Sequence, residues 1–116
     1  MRVLIMAKEG PATKGAEKPP TPEDMERYRA FNDELVKAGI VLASDRLQPS
    51  AKGKRVRFEG DKRTVIDGPF AETKELVAGF WLWQVRSMDE AIEWLKRAPY
   101  GGGEFEVREI MEMDWK

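Results

Sequence analysis

A chain of 116 residues is one domain's worth, and it buries only a modest core, so association with a second copy is a direct way to cover more apolar surface. Lys and Arg (20) nearly balance Asp and Glu (21) and leave a formal net charge of −1, which argues against direct binding to a nucleic-acid backbone. Cysteine and histidine are both absent, excluding disulfides, thiolate metal sites and the commonest general base near neutral pH. Proton transfer is left to Asp, Glu, Lys, Tyr or water, and no cofactor is expected. No apolar run reaches membrane length, and Met1–Lys8 is too short for a signal peptide, so the expectation is a soluble cytoplasmic chain with no membrane partner.

The apolar run Arg2–Ala7 reads as a first strand. Glu9–Pro20, rich in Gly, Pro, Ala and Lys, reads as a mobile loop, long enough to act as a lid. Thr21-Pro22-Glu23-Asp24 is a helix start, with a capping hydroxyl, a proline suited to the first helical position and acids at the positive end of the dipole. Met25, Tyr28, Phe31, Leu35 and Val36 then form an apolar stripe, and Gly39 closes the helix in a left-handed conformation.

Ile40–Leu47 predicts a second strand. Lys54–Glu59 and Arg63–Ile66 flank Glu59-Gly60-Asp61-Lys62 and predict a hairpin. Val77–Val85 is apolar at alternate positions on both sides, so both faces of that strand should be covered. Ser87-Met88-Asp89-Glu90 has the pattern of a capping box. It opens a helix with the inner stripe Met88, Ala91, Ile92 and Leu95, which Pro99 ends. After Gly101-Gly102-Gly103, Glu104–Ile110 predicts a last strand with Phe105 and Val107 on one face. The order is β-α-β, hairpin, β-α-β: an α+β, ferredoxin-like split βαβ plan with an extra hairpin, in one domain. Two helices cover one face of such a sheet. A homodimer packed sheet to sheet is expected to cover the other.

Thr64-Val65-Ile66-Asp67-Gly68-Pro69-Phe70-Ala71-Glu72-Thr73-Lys74-Glu75 resembles the signature of the DGPF-domain, or YCII-related, family. The flanking strings Phe31–Gly39, Ala78-Gly79-Phe80-Trp81 and Ala91-Ile92-Glu93-Trp94 agree with it. The resemblance implies a ferredoxin-like fold that pairs into a dimeric α/β barrel. Some proteins of this kind are encoded beside, or fused to, extracytoplasmic-function sigma factors, which implies a sigma-factor partner and a link to transcription. Enzymes of the wider group pair a His in the first helix with the Asp of an Asp-Pro-Tyr string. Here that string reads Ala98-Pro99-Tyr100, and the first helix offers Asp24 and Met25 in place of His. The residues therefore point to a non-catalytic small-molecule-binding or regulatory module. The alternative is a small-molecule enzyme using Asp45 or Asp67 as acid or base in the barrel cleft.

The candidate ligand-binding residues each have a structural counterpart reading. Asp67, Gly68, Pro69 and Phe70 make either a tight turn plugged by Phe70 or a ligand loop. Asp45 and Arg46 point to opposite faces of their strand, so one turns toward the covered side and needs a salt-bridge partner or a ligand. Lys8 ends the first strand beside the long loop, facing solvent or an anion. Trp81, Trp83 and Trp94 pack a core or stack on a ligand ring. Thr73, Lys74 and Glu75 form solvated surface or the edge of a cleft.

Overall fold

The computed structural model describes residues 1–8, 21–70 and 76–113. The loop Glu9–Pro20 and the run Ala71–Glu75, with Thr73, Lys74 and Glu75, lie outside the described residues. The elements run β1 (Arg2–Lys8), α1 (Pro22–Lys37), β2 (Val41–Arg46), a short 3₁₀ turn (Ser50–Lys52), β3 (Lys54–Glu59), β4 (Lys62–Asp67), β5 (Val77–Gln84), α2 (Met88–Lys96) and β6 (Phe105–Glu109). The order matches the sequence reading, with the 3₁₀ turn as an addition.

Four strands form one antiparallel sheet in the order β2-β5-β1-β6, while β3 and β4 make a separate two-stranded sheet. The first arrangement places β5 and β1, the two most apolar strands, at the centre. With two helices and an antiparallel sheet, the chain is an α+β domain compatible with a ferredoxin-like fold.

Cross-strand pairing sorts the side chains into two faces. Val3 lies opposite Trp83 and Ile5 opposite Trp81. Val107 lies opposite Ile5. These residues face the helices. Val3, Ile5, Leu35 and Trp83 are fully buried, joined by Phe31, Ile40, Val85 and Ala91 in one cluster that links both helices to the sheet. Burial of each large side chain contributes on the order of 2 kcal/mol. The indole Nε1 of Trp83 is buried with no hydrogen-bond partner among the described residues.

The helix facing this cluster is capped as its sequence requires. The Thr21 hydroxyl accepts from the Asp24 N–H at 3.0 Å, and the Asp24 carboxylate accepts from the Thr21 N–H at 3.1 Å. Gly39 follows the helix with φ 73, the left-handed conformation its position demands. Replacement of Thr21 by Ala is expected to lower stability by about 1 kcal/mol, and Thr21→Ser to restore it, in urea denaturation. Equal stability of all three proteins would show that the cap contributes nothing.

The apolar stripe of α1 is narrower than its spacing suggests. Phe31 and Leu35 enter the core, whereas Met25 and Val36 are exposed. The capping box at α2 is half formed. Ser87 Oγ accepts from the Glu90 N–H at 3.1 Å, but the Glu90 carboxylate turns away to the Arg86 N–H (2.8 Å) and guanidinium (2.8 Å). The two contacts to Arg86 outcompete one to the Ser87 N–H, because a charged guanidinium strengthens the bond.

The second face of the sheet carries Leu4, Leu82, Met6 and Phe80, paired across β1 and β5. These residues are half-buried against one another, and no helix among the described residues covers them. The chain measures 47 × 44 × 18 Å. The short dimension is that of one sheet plus one helix layer, of about 10 Å each.

Candidate functional site

The residues singled out from the sequence occupy three separate places. Asp45 lies opposite Phe80, and Glu106 opposite Met6, so both acids belong to the open sheet face. Lys8 joins them there: its Nζ contacts Glu106 Oε1 at 3.3 Å, beyond a register shift between Ala7 and Lys8. Arg46 lies opposite Gly79 and therefore takes the helix side, at the exposed end of β2.

Asp67, Gly68, Pro69 and Phe70 stand at the base of the β3–β4 hairpin. The Asp67 carboxylate is exposed and accepts from Lys54 Nζ. The Gly68 N–H donates to the Gly53 carbonyl at 2.9 Å, and the Gly53 N–H to the Ser50 carbonyl at 2.9 Å. The Gly68–Pro69 bond is cis. Gly68 does not have positive φ. Its requirement is space: a methyl group there would overlap the Ser50 carbonyl oxygen and lie 2.8 Å from the Ser50 carbonyl carbon. Phe70 is half-buried, with the Arg55 guanidinium 3.9 Å from its ring centre. Among the described residues, no group of three or more His, Cys, Asp or Glu could hold a metal ion.

Arg46 opens onto a different feature. Its row across the sheet runs Arg46, Gly79, Ala7, Phe105, and the next row includes Trp81 and Ile5. Tyr100, from the α2–β6 loop, stacks on Tyr28 of α1 at 4.9 Å between ring centres and lies 5.3 Å from Phe105 and 6.3 Å from Trp81. Trp81 also stacks on Phe105 at 6.2 Å. Tyr28, Trp81, Tyr100 and Phe105 thus form an aromatic corner at one end of the helix face.

A shallow, open depression of about 240 Å³ lies beside this corner, lined by Tyr100, Phe105, Leu95, Ala98, Lys96 and the Gly101–Gly103 turn. Its size suits a one-ring molecule rather than a drug-sized ligand, for which pockets run from about 300 Å³ upward. Burial holds the Tyr100 phenol above its ordinary pKa, the nearby Tyr28 adds to this, and the positive charge of Arg46 partly offsets it. Tyr100 is therefore a neutral hydrogen-bond donor at physiological pH rather than a base.

Sequence reasoning missed Tyr28 and Tyr100 as a pair. Tyr28 reads as a core position of the helical stripe, and Tyr100 follows a proline in a loop, so nothing in the spacing joins them.

The YCII-related domain matches residues 1–114. The chain is also similar to the uncharacterized protein R00369 of Rhizobium meliloti (strain 1021), with 36% identity over 89 residues, spanning 74% of this chain and 72% of the relative. The protein belongs to the YCII-related family. Among the described residues, no helix is long and apolar enough to cross a membrane.

Proposed function

We propose that this protein is a non-catalytic small-molecule-binding module whose ligand is a small, flat organic anion, of the class of one-ring aromatic carboxylates. The observation that carries this reading is the Tyr28–Tyr100–Trp81–Phe105 corner, with Arg46 on the same sheet face and its positive charge felt at the Tyr100 phenol. Aromatic edges and faces take up a planar ring. A guanidinium takes a carboxylate in a two-pronged bond, and the protonated Tyr100 phenol donates one more. Binding without turnover is supported by the chemistry of the corner, where both hydroxyls are phenols and the sequence offers no imidazole.

A regulatory use is supported by the sigma-factor association of DGPF-domain proteins, with a loaded or empty corner as the signal. A homodimer through the open face of β5 completes the proposal, because Leu4, Met6, Phe80 and Leu82 form a continuous apolar surface.

Titration with benzoate and its hydroxylated derivatives, followed by tryptophan emission, tests the site, because Trp81 touches it. Saturable quenching is expected. Arg46→Gln should weaken binding about tenfold or more, the loss of a charged bidentate contact. Tyr100→Phe should weaken it several-fold with the fold intact. Absence of saturable binding across the panel, or an Arg46→Gln protein that binds as well as the native one, would overturn the assignment.

A further inference from the structure

The Asp67-Gly68-Pro69-Phe70 turn is the motif that the aromatic corner leaves unused. Close approach to the Ser50 carbonyl accounts for Gly68. It does not account for Gly53, to which the turn is bonded. Gly53 has φ −94 and ψ 171, an extended conformation open to any residue. A methyl group there would stand 3.4 Å from the Ser50 carbonyl oxygen and 3.7 Å from Phe70 Cε2, which is ordinary contact. Its hydrogen bonds to Ser50 and Gly68 are made by the backbone, so any residue type supplies them. The fold therefore accepts a side chain at this position.

What a side chain would change is the space beside it. Gly53 lines an open depression of about 300 Å³ that lies between the loop after β2 and the start of β5. Leu47, Pro49, Phe70, Leu76 and Val77 make its apolar wall. The Arg55 guanidinium, 3.9 Å from the centre of the Phe70 ring, is not part of that lining and braces the ring from outside it. Gln48 and Lys52 also line the depression, and neither side chain has a hydrogen-bond or ion-pair partner among the described residues. The volume falls at the lower end of the range of about 300–1,000 Å³ for small-molecule pockets. The mostly aliphatic wall suits a hydrocarbon body, and the Lys52 ammonium beside the Gln48 amide suits an anionic head.

We infer that the turn builds a second binding site, for a medium-chain aliphatic carboxylate whose tail lies against Leu47, Phe70 and Val77 and whose head meets Lys52. Gly53 keeps the space for the tail open. The site is independent of the aromatic corner.

Titration of octanoate into the isotope-labelled protein, followed by backbone amide chemical shifts, tests it. Saturable shifts are expected at Gln48, Ser50, Gly53, Phe70 and Val77, with Tyr28 and Tyr100 unmoved. Gly53→Val should weaken binding about tenfold or more, because the branched side chain occupies the space of the tail. Lys52 is exposed, so Lys52→Gln reports on the site whether or not Gly53→Val disturbs the turn. It should weaken octanoate several-fold and leave 1-octanol unchanged, since only the charged contact is lost. Arg46→Gln should leave octanoate binding as it is, which separates this site from the corner. Absence of saturable shifts, shifts centred on the open sheet face of Leu4, Met6, Phe80 and Leu82, or a Gly53→Val protein that binds octanoate as the native one does would each overturn the site. A Lys52→Gln protein that binds octanoate unchanged, or loses 1-octanol equally, overturns the carboxylate assignment and the proposal with it.

Discussion

Replacing Gly68 by Ala is expected to release the base of the hairpin, with the cross-strand amides of Lys54–Asp67 losing about a hundredfold of their hydrogen-exchange protection. The added methyl meets the carbonyl group of Ser50, which is backbone and is already held by the Gly53 N–H. A flexible side chain would yield; this carbonyl moves only by breaking the turn from Ser50 to Lys52. Overpacking against fixed atoms costs on the order of 3 kcal/mol, and each 1.4 kcal/mol is about a factor of ten. The loss should be local, because none of the core residues among those described belongs to the hairpin. The melting temperature should therefore fall by less than the exchange data imply. Gly60→Ala is the informative companion. Gly60 has φ 59 with nothing near its missing side chain, so its cost of about 1 kcal/mol comes from backbone conformation alone. If Gly68→Ala proves milder than Gly60→Ala, close approach is not what this position requires.

The largest global effect is expected at Trp83. Trp83→Ala should destabilise the domain by about 4 kcal/mol, since the side chain is fully buried between Val3, Trp81 and the helices. That is a large share of the roughly 5–15 kcal/mol that holds a domain together. Trp83→Phe should behave very differently. It leaves a smaller void and also removes an indole N–H that is buried with no acceptor among the described residues. An unpartnered buried donor costs about 1–3 kcal/mol, so its removal offsets much of the lost packing. The net change should be within about 1.5 kcal/mol in urea denaturation. A Phe variant as unstable as the Ala variant would mean that the N–H has a partner.

Most of the architecture was legible in the chain because local signals and burial agreed. The Thr21 cap, the Gly39 stop and the alternation of Val77–Val85 each name one conformation. Where they failed, a tertiary choice had overridden a local one. Val36 continues the helical stripe but is left exposed, and Glu90 prefers Arg86 to the backbone of Ser87. At Gly68 the residue type was informative and the reason was not: a contact with Ser50, distant in sequence, replaces the backbone conformation that glycine usually signals. The site was harder to read. Asp45 and Arg46 are neighbours in sequence but separate to opposite faces, while Tyr28 and Tyr100 are far apart in sequence and stack. Strand alternation foresaw the first, and no sequence pattern contained the second.

The hairpin's anchorage also bears on how the chain can change over time. Its base is fixed by the Gly53–Gly68 bond, while the positions beyond it face outward and take no part in the central cluster. Mutational drift at Val56, Phe58 or Val65 is thus largely released from the demand to preserve the fold. Substitutions at those positions therefore change the surface the chain presents while leaving its packed interior as it is.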